Sequence, residues 1–159
     1  MRLDPGKLTL AINSIPGGMT RETFSVLLKE VPWDIPEAEP VDDEGVLSLE
    51  VTRTENEIVV RGDLQAVFQV ECSRCLDPVT VEVTEYIERI FSWDPEMLTD
   101  TEVEPVSHND GTVSILDAVR EAVILSIPTV PLCGENCEGL CPVCGINRNR
   151  ESCEHTAED

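Results

Sequence analysis

Seven cysteines and one histidine fall into four close pairs: Cys72 with Cys75, Cys133 with Cys137, Cys141 with Cys144, and Cys153 with His155. No other feature restricts the fold as much. Eight soft or borderline ligands in four two-ligand units match the demand of two tetrahedral zinc ions. Thiolates two or three residues apart on a tight turn reach one ion together, because the short loop makes the second ligation entropically cheap. Sites of this kind need reduced cysteines, and an odd count of seven would leave one thiol over in a secreted disulfide framework. The chain is therefore expected to be cytoplasmic. No run approaches a membrane span of roughly 20 apolar residues, and MRLDPGKLTLAINSIPGG lacks the apolar core of a leader.

Loop closure also suggests how the ligands divide. Cys141, Cys144, Cys153 and His155 lie close in sequence and form a local site with three thiolates and one imidazole. Cys72, Cys75, Cys133 and Cys137 remain as an all-thiolate site across a long gap. A competing division joins 72/75 to 141/144 and leaves the other ligands weakly metallated. CxxxCxxC at 137–144 is also an iron–sulfur spacing, and either CxxC could be a redox pair, although a thioredoxin-like site would open a helix within a βαβ unit. A thiolate-rich centre is closed and structural, whereas a catalytic zinc keeps a position for water. His108, in an acidic loop, reads as a solvated surface histidine. With no GxSxG, Walker A or GxGxxG sequence, the chain is read as non-enzymatic.

Thirty-two acidic residues against 11 basic ones give a net charge of −21 over 159 residues. Seven thiolates against two divalent ions would add a further −3. Such a field excludes a broad phosphate-binding surface, so contact with nucleic acid must be local or run through a basic partner protein. Arg74, Arg148 and Arg150 lie in the metal-binding segments. They either offset thiolate charge or form a small candidate RNA-binding patch.

Hydropathy patterning indicates an α+β chain: a β-rich antiparallel meander or partly closed barrel, one packed helix and a C-terminal zinc element. A short strand is expected at Leu8 to Ile12, followed by a turn through Pro16, Gly17 and Gly18. Thr23 to Leu28 fits strand or helix equally. Pro32 to Glu44, with three prolines and six acids, reads as a loop or mobile acidic segment. Leu47, Leu49 and Val51 alternate with polar residues, as do Leu64, Ala66, Phe68, Val70 and Cys72, so the first ligand pair grows from a strand end. Val79, Val81 and Val83 continue the alternation towards Ile90 and Phe91. After an acidic loop from Asp94 to Gly111, the spacing predicts a helix over 114–127. Ser114 and Asp117 would form a capping box, and Ile115, Leu116, Val119, Ala122, Val123 and Ile127 an apolar stripe. Pro128 and Pro131 stop it. Residues 1–131 are thus expected to form the β-rich domain, with 132–159 packed as a cysteine-rich element on the turn at 72–75.

CSRCLDPV, then the helix, then IPTVPLCGENCEGLCPVCGINRN with a trailing CEH resembles the YceD family of bacterial and plastid proteins. The resemblance covers Val67 to His155. It implies a β-rich body with a zinc-type C-terminal element, and a role in synthesis, processing or stability of large-subunit ribosomal RNA. The implied partners are that RNA's precursor or a basic ribosomal or RNA-processing protein. Carried over by motif, the metal positions are Cys72, Cys75, Cys133, Cys137, Cys141 and Cys144, with Cys153 and His155 at the tail. The family's frequent Cys-x-Cys ending is Cys-Glu-His here, and histidine is an adequate replacement ligand.

Overall fold

The computed structural model describes residues 1–35, 38–106 and 111–155. His108 and part of the two acidic loops lie outside the described residues. Ten strands and one helix run in the order β1 (Leu3–Asp4), β2 (Thr9–Ala11), β3 (Gly18–Leu27), β4 (Glu39–Pro40), β5 (Glu44–Arg53), β6 (Glu57–Glu71), β7 (Pro78–Val83), β8 (Tyr86–Ser92), β9 (Val103–Pro105), β10 (Thr112–Ser114) and α1 (Leu116–Ser126).

Strand β6 is the spine. Its first half pairs with β5 and β8, and its second half with β4 and β7, all antiparallel. β7 and β8 continue one register along the same edge: Ala66 opposes Val83 and Asp63 opposes Tyr86, with a break only at Thr84 and Glu85. The alternation traced from Val79 to Phe91 is thus one interrupted arm of a long hairpin. At Gly62, an added Cβ would lie 2.1 Å from the Ser48 carbonyl oxygen, so β5 and β6 approach as closely as they do because that position carries no side chain.

The sheet does not close into a barrel. Its main path runs β3-β5-β6-β8-β9, and β9 joins parallel to β8, departing from an all-antiparallel meander. A second small sheet, β1-β2-β10, places β10 against β2. Thr23 to Leu28, open to two readings in the sequence, belongs almost entirely to β3, which pairs with β5 from Gly18↔Arg53 to Leu27↔Glu44. Ten ladder positions outweigh a weak local helical pattern.

One further expectation changes and another is narrowed. Ser114 ends β10 opposite Thr9, and the helix begins at Leu116 after Ile115 with no side-chain cap; the Ser114 hydroxyl accepts only a 3.3 Å bond from the Leu116 amide. The sheet ladder holds Ser114 in extended geometry, so no capping box forms. The described part of the Pro32–Glu44 segment is mostly loop, as one of its two readings had it, but it is anchored: Trp33 and Ala38 are buried. The Trp33 indole donates to the Leu28 carbonyl at 2.6 Å and meets Phe68 edge-on at 5.0 Å, while Arg120 of α1 donates to the Trp33 carbonyl at 2.7 Å.

The helix lies against β7 and β8. Ala118, Val119, Ala122 and Val123 face the core, joined by Ile115 and by the inward rows Leu47, Leu49, Val51 and Leu64, Phe68, Val70. Each such large side chain contributes roughly 1.5–3 kcal/mol by burial. Among the described residues, no helix is long and apolar enough to cross a membrane.

Candidate metal centre

The alternation along β6 carries Cys72 into the core side of the strand end, and the turn to β7 folds back at once. Cys72 donates its amide to the Asp77 carbonyl at 2.8 Å, and the Leu76 amide returns to the Cys72 carbonyl at 2.9 Å. Leu76 closes the turn with φ +62°. The second CxxC repeats this geometry: Cys141 donates to the Ile146 carbonyl at 2.8 Å, the Gly145 amide donates to the Cys141 carbonyl at 2.8 Å, and Gly145 has φ +74°. The two knuckles therefore share one backbone fold, with leucine in one where the other has glycine.

Helix α1 ends before Pro128, and the following strap crosses the first knuckle, where Ser73 donates to the Pro131 carbonyl at 2.8 Å. That contact delivers Cys133 and Cys137. The Sγ atoms of Cys72, Cys75, Cys133 and Cys137 all lie within 4.8 Å of one another, as do the ligand atoms of Cys141, Cys144, Cys153 and His155. Cys72 and Cys137 sulfurs are 3.8 Å apart, and those of Cys75 and Cys133 3.5 Å. A tetrahedron with metal–sulfur bonds of about 2.3 Å has an edge of about 3.8 Å. A disulfide would bring sulfurs to about 2.05 Å; all seven thiols are free. In the second group, His155 Nδ1 stands 3.9 Å from the Cys141 sulfur, against about 3.6 Å for the edge of a mixed thiolate–imidazole tetrahedron. The donor sets thus fit one ion each, and the grouping of 72/75 with 141/144 is not the one assembled.

Amides prepare the anions. Burial opposes ionisation of Cys72, but the backbone N–H groups of Arg74, Cys133 and Cys75 outweigh it and lower the thiol to about 6. At Cys141 the Cys144 amide leads, aided by that of Val143, and against burial lowers the thiol to about 5. The Asn149 side-chain amide, 3.4 Å from the sulfur, lowers Cys137. Burial pushes Cys75 the other way, to about 12, so this thiol holds the proton that a metal would displace.

The tail element docks on the first knuckle through groups that sequence patterning did not single out. Leu140 donates to the Arg74 carbonyl at 3.0 Å, next to Gly139, whose φ of +73° and 3.0 Å approach of a hypothetical Cβ to that same oxygen leave no room for a side chain. Asn147 donates to Asp77 at 2.9 Å, and the Glu138 amide donates to Asn149 at 2.8 Å. The sequence signal for this network was the polar run after CPVCG.

The candidate RNA-binding arginines are all engaged. Arg74 donates to the Cys137 carbonyl at 3.0 Å, Arg148 to the Cys141 sulfur at 3.7 Å and the His155 carbonyl at 3.3 Å, and Arg150 to Asp77 at 2.8 Å. Arg21, Arg61, Arg89 and Lys29 pair with carboxylates, Arg120 bonds Asp34 and a carbonyl, and Arg53 donates to the Ile12 and Ile15 carbonyls. Of the 11 bases, only Arg2 and Lys7 make no side-chain bond among the described residues.

A family model described as "Large ribosomal RNA subunit accumulation protein YceD" matches residues 60–159. An uncharacterized protein of Mycobacterium tuberculosis is 35% identical over 103 residues, covering 63% of this chain and 49% of the relative. One from Mycobacterium leprae is 33% identical over 104 residues, covering 64% and 48%. The Large ribosomal RNA subunit accumulation protein YceD of Haemophilus influenzae is 29% identical over 85 residues, covering 51% and 49%. The chain spans about half the length of the curated relatives it matches. No solved structure matches it. With the CSRCL and LCGENCEGLCPVCG elements both inside the matched span and both building metal-ready clusters, the chain belongs to the YceD family of large ribosomal RNA subunit accumulation proteins.

Proposed function

We propose that this chain supports the accumulation of large-subunit ribosomal RNA without catalysing a reaction, as a cytoplasmic factor that holds a basic ribosomal or RNA-processing protein. Two structural zinc ions would close its C-terminal element. The observation that carries the reading is the family match across residues 60–159, which includes both closed four-ligand clusters. Sulfurs within 4.8 Å of one another could hold a single ion, whereas a multi-iron cluster needs wider spacing. Ligand sets with four protein donors leave no position for a substrate water. A net charge of −21 and internally bonded arginines favour a protein partner over direct contact with RNA.

Depletion of the chain in its own cells should lower the ratio of large- to small-subunit ribosomal RNA. Wild type should restore it, and a Cys133→Ser/Cys137→Ser variant should not. An unchanged ratio on depletion would sink this function. Elemental analysis should find two zinc ions per chain; iron would overturn the metal assignment.

A further inference from the structure

The two knuckles differ where the backbone asks for glycine. Gly145 occupies the left-handed position of the second, and Leu76 occupies the same position of the first at φ +62°. A branched side chain there is strained, and glycine would relieve it. The leucine recovers little by burial, because it is 57% exposed. A residue that weakens the turn and leaves its apolar surface in water does not serve the folded chain alone.

Leu76 forms one wall of a cleft of about 290 Å³ with Val70, Ile127, Pro128 and Pro131. Two neighbouring positions in the chain are also exposed apolar residues: Val130 on the same strap is 59% exposed, and Leu125 at the helix end 76%. Glu71 lines the cleft, and Cys72 of the first cluster forms part of it. Four thiolates around a divalent ion leave a charge of −2 beside the cleft. Arg74, which bonds the uncharged Cys137 carbonyl, offsets one unit of it, whereas Arg150 is paired with Asp77, so the cluster and Glu71 remain net negative together.

We infer that this cleft is a docking site for an extended basic segment of a partner protein, which inserts an apolar side chain between Leu76 and the 127–131 strap while flanking lysines or arginines face Glu71 and the thiolate cluster. Apolar walls beside negative charge match that chemistry. A second copy of this chain, at −21, would be repelled. A bound metal would add a clamp to the Ser73–Pro131 bond that already joins the two walls, because Cys133 follows the strap and Cys72 and Cys75 belong to the knuckle. The inference rests on the proposed basic partner and locates where that partner binds.

The test uses the zinc-loaded full chain and two labelled heptapeptides, Lys-Gly-Lys-Leu-Lys-Gly-Lys and its version with glycine at the centre, titrated in 0.15 M salt with two-dimensional NMR. The leucine peptide is expected to bind at least about 10-fold more tightly and to shift the resonances of Leu76, Thr129 and Val130. Leu76→Gly should reduce its affinity to that of the glycine peptide, while the melting temperature stays equal or rises. Equal binding of the two peptides, shifts on another face, or an unaltered affinity in Leu76→Gly would overturn the site. So would a lower melting temperature in that variant, which would make Leu76 a structural residue. Shifts of the same resonances by a uridine 12-mer would assign the cleft to nucleic acid and equally refute the proposal. If the peptides fail while depletion still lowers the ribosomal RNA ratio, the cleft assignment falls and the cellular role stands.

Discussion

The two metal clusters close loops of very different size, so their removal should have unequal consequences. Cys75 and Cys133 are 58 residues apart, whereas Cys144 and Cys153 are nine apart. Treating each ion as a cross-link, chain entropy gives about 4.2 kcal/mol for the larger loop and about 2.6 kcal/mol for the smaller. Cys133→Ser/Cys137→Ser should therefore destabilise the protein by about 1.6 kcal/mol more than Cys153→Ser/His155→Ser. With a urea slope of about 2 kcal/mol/M, the midpoints should fall by about 2 M and about 1.3 M. Each variant should retain one metal ion per chain. Far-UV circular dichroism in urea, with metal content measured on the same samples, is a sufficient assay. Equal midpoint shifts, or loss of both ions from either variant, would refute the loop argument and imply that the clusters form as one unit.

Gly62→Ala forces a methyl group to within 2.1 Å of the Ser48 carbonyl. Parting β5 from β6 should cost about 3 kcal/mol and lower the melting temperature by about 6–12 °C; a change under about 2 °C would contradict the close approach. Phe68→Ala removes the partner of Trp33 from a fully buried position, at a cost of about 3–5 kcal/mol, and tryptophan emission should move to longer wavelength as that ring meets water. Arg148→Ala deletes a donor to the Cys141 sulfur and should weaken metal binding at the second cluster about 10-fold while leaving the first unchanged. Chelator competition measures both, and parallel loss would show that Arg148 acts on the whole element.

Ligand grouping was legible because it follows from loop length, and the strands of the long hairpin were legible because Leu47 to Val51 and Leu64 to Cys72 alternate without interruption. The helix stop at Pro128 was equally plain. Its start was not, because Ser114 carries a capping residue's chemistry but is claimed by Thr9 across the sheet, a competition that no local pattern reports. Strand β3 was ambiguous for a related reason: it pairs on one side only with β5 and fully buries only Val26, with Thr20, Phe24 and Leu27 partly covered, so its pattern is weak. The parallel addition of β9, the anchoring of the acidic segment by Trp33 and the engagement of Arg148 and Arg150 all depend on contacts across tens of residues. Leu76 is the sharpest case. In sequence it is one more apolar residue after a CxxC, and only its φ value and exposure distinguish it.

Charge makes the sign of the salt dependence a direct discriminator of partner class. An acidic chain whose bases are nearly all tied to its own carboxylates, carbonyls and thiolates has few free cations with which to replace the counterions around a nucleic acid. Long-range repulsion would then oppose an RNA encounter, and added salt should aid weak binding or leave it unchanged as the screening length falls from about 30 Å at 0.01 M to about 10 Å at 0.1 M. A basic protein behaves in the opposite way: steering accelerates its association at low salt, and affinity should fall steadily as salt rises. Association of the full chain with basic large-subunit ribosomal proteins and with ribosomal RNA fragments, followed from 0.01 to 0.3 M salt, separates the cases. Tight RNA binding at 0.01 M that weakens steeply with salt would mean that Arg74, Arg148 and Arg150 leave their internal partners to meet phosphate, and the protein-partner reading would fail.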